Sequence, residues 1–211
     1  MKLTYLERAY VNGVIRHRIQ RPLEFRLFGR MAPIPQRAHI LEIGCGNGGG
    51  LAYLAAHYNP ASLTGIDLDP AQIQAARQKL ATLSITSLHV GSAAQVPLPA
   101  HSYDVIICAG VLHHMPEWRK AVAECARLLR HGGMLYILEF YHPFLNLPVL
   151  RQLFPHPVTG LTRITLKADL SHHGFSTLGS VPSPNNRFKR WLANHVNLTA
   201  TRLAITQPEY D

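Results

Sequence analysis

A glycine-rich segment that directly follows an apolar, strand-like run is the part of the sequence best suited to bind a ligand. The run His39–Ile43 leads into Gly-Cys-Gly-Asn-Gly-Gly-Gly at residues 44–50, and residues 51–58 have a helical pattern. Glycine suits a sharp turn from strand to helix because it adopts positive φ cheaply and lets a ligand approach the backbone. The segment also satisfies GxGxxG, so by itself it fits a dinucleotide or another nucleotide-like cofactor.

Two acidic residues near this segment narrow the class of ligand. Glu42 precedes Gly44 by two positions, and a carboxylate pointed at the loop would repel a pyrophosphate but suit a ligand with an amino group, such as S-adenosylmethionine. The alternative is a structural turn with Glu42 on the surface. Asp67 ends the run 63–67, where doubly wound folds place a carboxylate against ribose hydroxyls, whereas Asp69 precedes Pro70 and is typical of a helix N-cap.

Strand-like and helical patterns alternate from about residue 38 onward, which is typical of a parallel sheet covered by helices. A helix stop and turn is predicted at 131–133. The other predicted helices cover 71–83, 116–129 and 161–173, and the predicted strands cover 39–43, 63–67, 85–90, 103–108, 134–140, 175–181 and 198–206. We therefore predict an α/β domain over 38–211, preceded by a helical extension over 1–37.

Composition excludes several classes of protein. The chain has 211 residues, of which 47% are hydrophobic and 16% charged, as in one globular domain and unlike a disordered chain. Cys45, Cys108 and Cys125 stand in unrelated settings, so neither a disulfide framework nor a metal site is predicted. The start of the sequence has no long apolar core, so we expect neither a secretory signal nor a membrane anchor. We therefore expect a cytoplasmic location.

The positive charge is concentrated in the two flanks. Residues 1–37 carry a net charge of +6, residues 38–140 carry −1, and residues 141–211 carry +4, which together make the net charge of +9. Basic flanks can attract an anionic substrate, a nucleic acid or an anionic membrane surface, or they can simply keep the protein soluble. A transmembrane segment is not predicted, and peripheral contact with a membrane remains open.

The order and spacing of the segments resemble the class I S-adenosylmethionine-dependent methyltransferases, in particular the small-molecule group with Leu-His-His after the fourth strand. The resemblance covers residues 38–140 through LEIGCGNG, GIDLDP, GSAAQVPLP, YDVIICAGVLHHM and LLRHGGMLYILEF. It implies a Rossmann-like, doubly wound sheet of seven strands, mostly parallel with the last strand antiparallel, and helices on both faces. It also implies S-adenosylmethionine as the cofactor.

The same resemblance assigns cofactor contacts to the ends of the first four strands. Many relatives have Asp where this chain has Ser92, which can accept from an adenine amino group only as a neutral hydroxyl. The assigned residues are Glu42, Gly44, Cys45, Gly46, Asn47 and Gly48 at the methionine end, Asp67 and Leu68 at the ribose, Ser92 and Ala93 at the adenine, and Ala109 and Gly110 at the pocket wall.

Histidines after the fourth and fifth strands are the candidate catalytic groups. Positioning supplies much of the rate of a methyl transfer, but a hydroxyl or carbon acceptor must still lose a proton, and histidine is well suited to take it near neutral pH. We predict that His113 and His114 reach the pocket, with His113 the nearer. His142 forms a second group with Glu139 and Tyr141. The alternative for His113 and His114 is a packing and hydrogen-bonding role at the start of the next helix.

The function that these observations favour is methyl transfer to a small, apolar or lipid-like acceptor with an oxygen, nitrogen or carbon nucleophile. An RNA or protein methyltransferase is the first alternative, motivated by the charge of +9, although the sequence has no RNA-binding module. A nonenzymatic S-adenosylmethionine-binding regulator is the second. Residues 1–31 mix apolar and basic positions, which predicts a lid over the acceptor site, contact with an anionic lipid surface, or a helix that covers the sheet.

Overall fold

The computed structural model describes residues 13, 16–141, 157, 160–181, 187 and 196–203. A π-helical turn, Arg16–Gln20, precedes the first α-helix, and a 3₁₀ turn, Leu112–His114, follows the fourth strand. The helices are α1 Arg21–Met31, α2 Gly49–His57, α3 Pro70–Lys79, α4 Trp118–Leu128 and α5 Arg163–His172. The strands are β1 His39–Ile43, β2 Ser62–Asp67, β3 Thr86–Val90, β4 Tyr103–Ala109, β5 Leu129–Phe140, β6 Phe175–Val181 and β7 Val196–Leu203.

The seven strands form one sheet in the order β3-β2-β1-β4-β5-β7-β6. Strands β1 to β5 pair in parallel, and β7 pairs antiparallel with both β5 and β6. This confirms the predicted Rossmann-like sheet with an antiparallel last strand. The chain order reverses between β1 and β4, where open α/β sheets leave a crevice for a ligand beyond the carboxyl ends of the strands.

Most predicted boundaries hold to within a few residues, and the largest difference lies in β5. Tyr103 pairs with Leu129 and Val105 pairs with Met134, so residues 130–133 are excluded from the pairing with β4. Gly132 has a φ of 78°, which only glycine adopts cheaply. The turn predicted at 131–133 is therefore an irregularity within a longer strand.

The sheet is covered on both faces by apolar side chains. On one face the core contains residues of α4 and α5, among them Trp118, Leu128, Leu166 and Leu170. On the other face it contains residues of α1, α2 and α3, among them Phe25, Phe28, Leu51, Leu54 and Ile73. Within the described residues no helix is long and apolar enough to cross a membrane.

Helix α1 packs as part of this core. The Phe25 ring stacks on Tyr53 with 5.1 Å between ring centroids, and the Phe28 ring centroid lies 5.2 Å from that of Tyr136. Tyr136 Oη also donates a hydrogen bond of 3.0 Å to the carbonyl oxygen of Ala32. The apolar side of α1 therefore covers the sheet. Most of the predicted extension before residue 16 lies outside the described residues, so its lid role stays a prediction.

Candidate cofactor and active site

The glycine segment forms a tight loop between β1 and α2 that requires glycine at its first position. Gly44 has a φ of 68°, and a Cβ there would lie 2.3 Å from Val111 Cγ2. The backbone N–H groups of Gly44 and Cys45 both donate to the carbonyl oxygen of Ile66, at 2.8 and 3.1 Å. These bonds hold the loop against the end of β2, so its backbone borders the crevice.

Asp67 joins this loop to the turn that begins α3. Its Oδ2 accepts a hydrogen bond of 2.9 Å from Gly46 N, and its Oδ1 accepts one of 2.9 Å from Asp69 N. Burial raises the pKa of Asp67, while the hydrogen bonds from Asp69 and Gly46 oppose the shift. Each carboxylate oxygen can accept a further hydrogen bond, so this side chain can hold two ligand hydroxyls. Asp69 caps α3 by accepting from Ala71 N at 3.0 Å, as predicted.

A cavity of about 940 Å³, counting the space open to solvent, lies at the carboxyl ends of β1, β2 and β4. Ten of the predicted cofactor residues line it: Gly44, Cys45, Gly46, Asn47, Asp67, Leu68, Ser92, Ala93, Ala109 and Gly110. We call the part formed by residues 44–47 and Asp67 the loop wall.

The other two predicted cofactor residues, Glu42 and Gly48, are not among the residues that line the cavity. Glu42 is fully buried, and its Oε1 lies 2.9 Å from Nη2 of Arg21. A Cβ at Gly50 would lie 2.3 Å from the same oxygen, so the carboxylate sits behind the loop. Burial raises the pKa of Glu42 because the loss of hydration outweighs the attraction of Arg21 and Arg16. Glu42 therefore faces an arginine.

Sequence reasoning placed Arg16 and Arg21 only within the segment predicted to form a lid or to contact lipid, and both line the cavity. Arg16 Nη1 lies 3.2 Å from Glu24 Oε1, and Arg21 Nη1 lies 3.3 Å from Glu24 Oε2. All three side chains are buried, and both arginines border the cavity. We call Arg16, Arg21, Glu24 and Glu42 the arginine wall. In the sequence, only the three-residue spacing of Arg21 and Glu24 on one helical face could have indicated an ion pair of this wall.

A family model described as a methyltransferase domain matches residues 41–137. Phthiotriol/phenolphthiotriol dimycocerosates methyltransferase of Mycobacterium leprae is 42% identical over 96 residues, which are 46% of this chain and 35% of that protein. Fatty-acid O-methyltransferase of Mycolicibacterium smegmatis is 35% identical over 94 residues, 44% of this chain and 34% of that protein. The matched segment thus spans about a third of these curated relatives.

Solved structures agree in fold. The protein in complex with the Trm112 methyltransferase activator of Haloferax volcanii superposes with a TM-score of 0.76, over 95% of this chain and 96% of that one, at 17% identity. Residues 41–137 therefore match a methyltransferase domain in sequence, and the described fold agrees with that of the solved structure.

The candidate histidines of this methyltransferase domain occupy two different positions. His113 is buried and its Nδ1 bonds to Glu139 Oε1. Glu139 also accepts hydrogen bonds from the backbone N–H groups of Leu112, at 2.8 Å, and Phe140, at 3.0 Å. His114 lines the cavity, and its ring centroid lies 4.1 Å from that of His113. His142 lies outside the described residues.

The bond to Glu139 determines what the His113 ring can do. When Nδ1–H donates to the carboxylate, Nε2 of the neutral ring is left as the acceptor, which is the tautomer that a general base needs. A Cβ at Gly110 would lie 3.9 Å from His113 Cε1, so this edge of the ring is directly behind a residue of the cavity lining. His113 thus lies behind Gly110, whereas His114 lines the cavity itself.

Ser92 lines the cavity, as the resemblance predicts. Its Oγ accepts a hydrogen bond of 3.2 Å from Ala94 N, and its carbonyl oxygen accepts one of 3.2 Å from Gln95 N. The hydroxyl oxygen therefore stabilises a local turn. This turn also places Ala93 in the lining.

Proposed function

We propose that this protein transfers the methyl group of S-adenosylmethionine to a small, lipid-like acceptor through an oxygen, nitrogen or carbon nucleophile. The observation that carries the proposal is the cavity at the reversal point of the sheet, lined by the glycine loop, Asp67 and the apolar side chains of Val111 and Met115. The names of the two curated relatives, one a fatty-acid O-methyltransferase, support a lipid-like acceptor.

The residues on the loop wall fit the cofactor. Asp67 would accept hydrogen bonds from the two ribose hydroxyls, and the loop and Ala109 and Gly110 would lie against the methionine end. Ser92 and Ala93 would border the adenine. When bound, S-adenosylmethionine supplies a methyl group that its sulfonium already activates. The protein therefore needs to hold the acceptor in line and to exclude water.

The proton of a hydroxyl or carbon acceptor is assigned to the histidine pair. His114 lines the cavity, so its imidazole can take the proton at a ring nitrogen. His113, fixed by Glu139 behind Gly110, is the second candidate. His142 remains a third candidate from the sequence. Separate substitutions, His113→Gln and His114→Gln, distinguish the roles. The substitution that removes the base should lower kcat steeply with little change in cofactor affinity.

The N-terminal segment is proposed to cover the acceptor. Support comes from Arg16 and Arg21, which border the cavity, and from Ile19 and Leu23, which are 64% and 56% exposed. Two large apolar side chains in water suit contact with a lipid phase that supplies the acceptor. Deleting residues 1–31 would also remove the core residue Phe28, so the double variant Ile19→Ser, Leu23→Ser is the sharper test. It should lower turnover of vesicle-borne acceptors and leave cofactor affinity unchanged.

The decisive experiment is calorimetry with S-adenosylmethionine and S-adenosylhomocysteine, followed by transfer of a radiolabelled methyl group. We expect micromolar binding and labelling of a fatty acid or fatty alcohol. Absence of binding to both cofactor forms overturns the proposal. Labelling of RNA, with an affinity that falls steeply with salt, would favour the RNA alternative. Binding without transfer to any acceptor class would favour the regulator.

A further inference from the structure

The loop at residues 91–98, which follows β3, is fastened at both ends. Its first residue, Gly91, donates a backbone hydrogen bond of 3.0 Å to the carbonyl oxygen of Asp67, at the end of β2. Its other end is held by two side chains of α4. Between these two attachments, Ser92 and Ala93 line the cavity. The contacts with α4 therefore bear on where this part of the cavity lining lies.

Glu124 and Arg127 of α4 bind both backbone groups of Val96. Oε2 of Glu124 accepts a hydrogen bond of 2.8 Å from Val96 N, and Nη2 of Arg127 donates one of 2.8 Å to the carbonyl oxygen of Val96. Nη1 of Arg127 donates a further bond of 3.0 Å to the carbonyl oxygen of Leu98. This end of the loop lies outside the sheet, so these bonds replace those that a strand would receive. We call Glu124 and Arg127 the loop clamp.

The two side chains of the loop clamp also fix each other. Nε and Nη2 of Arg127 each lie 2.8 Å from an oxygen of Glu124, which makes the ion pair bidentate. These side chains are 37% and 17% exposed, whereas those of Lys120 and Glu117, an ion pair with the same spacing on the same helix, are 64% and 60% exposed. The hydrogen bonds from Arg127 lower the pKa of Glu124, so the clamp is charged at neutral pH. An exposed ion pair contributes little to stability, but this pair also has backbone partners.

A compact turn connects the clamped residue with the cavity lining. Oγ of Ser92 accepts a hydrogen bond from Ala94 N, and the carbonyl oxygen of Ser92 accepts one from Gln95 N, both at 3.2 Å. Val96 directly follows this turn, and its side chain is buried in the same core cluster as that of Ala93. Because the turn is held by its own hydrogen bonds, a displacement of Val96 also displaces the residues that line the cavity.

We propose that Glu124 and Arg127 are positioning residues for the purine base of the cofactor. Through Val96 they hold Ser92 and Ala93, which the proposed function assigns to the border of the adenine. The inference rests on the proposed function and adds that an ion pair on α4 determines how closely the loop fits the base. Neither side chain of the clamp is among the residues that line the cavity, so both act through the backbone of the loop.

Two ligands that differ only in the purine base, S-adenosylhomocysteine and S-inosylhomocysteine, test the proposal in the full chain. Deamination replaces the amino donor of adenine by a carbonyl acceptor, so a site that fits the adenine edge should reject the inosine form. Wild type is compared with Arg127→Gln, Glu124→Gln and the double variant. Glu117→Gln is the matched control, since Glu117 pairs with Lys120 on the surface of the same helix. The readout is the ratio of the two affinities from calorimetry, which does not depend on the folded fraction.

Wild type should prefer S-adenosylhomocysteine about 10- to 100-fold, because the wrong base leaves a polar group of the site unpaired. Arg127→Gln should bring this ratio close to one, since it removes the bonds to two carbonyl oxygens of the loop. Glu124→Gln should lower the ratio less, because its amide oxygen can still accept from Val96 N. The double variant should resemble Arg127→Gln alone, since both residues act through one loop. Glu117→Gln should leave the ratio unchanged.

An equal loss of affinity for both ligands would overturn the inference, because it marks a structural role alone. A wild-type ratio close to one would also overturn it, since the loop would then not distinguish the base. If Arg127→Gln does not fold, Arg127→Lys decides, because lysine keeps the charge without the fork, and an unchanged ratio is the contrary result. If wild type binds S-adenosylhomocysteine and the variants keep its ratio, the inference alone fails. If wild type binds neither ligand, the proposed function fails with it.

Discussion

The two walls of the cavity are built on different physical principles. The loop wall consists of backbone held by nearby backbone, since Gly44 and Cys45 both donate to Ile66. Its one charged group is Asp67, which is bonded to two N–H donors. The arginine wall consists of two buried arginines that line the cavity and two buried glutamates behind them. Its members come from the N-terminal turn, from α1 and from β1.

This difference determines what each wall tolerates. A wall made of backbone tolerates substitution of side chains that point away from the cavity, but it has no room for an added Cβ. A wall of buried ion pairs is strongly destabilised when any one partner is removed, because the charge left behind stays buried without compensation. The two walls should therefore fail under opposite kinds of substitution.

The largest effect is expected when the arginine wall loses its shared carboxylate. Glu24→Gln leaves Arg16 and Arg21 buried with less compensation, which should lower the free energy of unfolding by about 3–5 kcal/mol. Glu117→Gln is the matched control, since this carboxylate pairs with Lys120 on the surface and should cost less than about 1 kcal/mol. Denaturant titration measures both. A small, equal loss would mean that the arginine wall is not a coupled unit.

The next largest effect is expected when a Cβ is added to the loop wall. Gly44→Ala combines a positive φ with a 2.3 Å approach to Val111, and should cost about 3 kcal/mol and most of the cofactor affinity. Gly160→Ala has a similar φ of 64° but no atom within 4 Å, so only about 1 kcal/mol is expected. Thermal melting separates crowding from backbone strain, and similar losses in both variants would exclude crowding as the cause.

A third test compares the two acids that follow β2. Asp67→Ala should weaken cofactor binding by about 2 kcal/mol or more, because it removes a charged acceptor from the cavity. Asp69→Ala removes a helix cap and should cost about 1 kcal/mol of stability with little change in affinity. Calorimetry and melting curves together assign the roles. Equal losses of affinity would show that the two acids are wrongly distinguished.

The smallest effect is expected from pH. Because burial raises the pKa of Asp67 above the ordinary aspartate value, this carboxyl takes up a proton earlier than an ordinary aspartate as the pH falls, and affinity for S-adenosylhomocysteine should fall with it. Because the uptake of one proton opposes binding, the affinity can fall by at most about tenfold for each pH unit. Asp67→Asn should flatten this dependence on the acid side of neutrality. An unchanged slope in that variant would assign the effect to another group.

The predictions from sequence were most accurate where structure depends on near neighbours. The cap at Asp69 is confirmed, and α3 begins at Pro70, one residue before the predicted start, because a capping bond spans two residues. The predicted strand 134–140 began too late, since the paired residue Leu129 is separated from the rest of β5 by an excluded segment. No local pattern reports that β4 pairs on both sides of such an irregularity.

The sequence by itself determined the strand, loop and helix unit around Gly44 and the position of Asp67 at the next strand end, because glycine sterics and the spacing of a β-α-β unit are properties of a short stretch of chain. Only the tertiary structure decided the partners of the buried charges. Glu42 meets Arg21 because α1 packs on the sheet through Phe25 and Phe28. Attraction between buried charges depends on distance in space and on the exclusion of water, and neither can be read from separation along the chain.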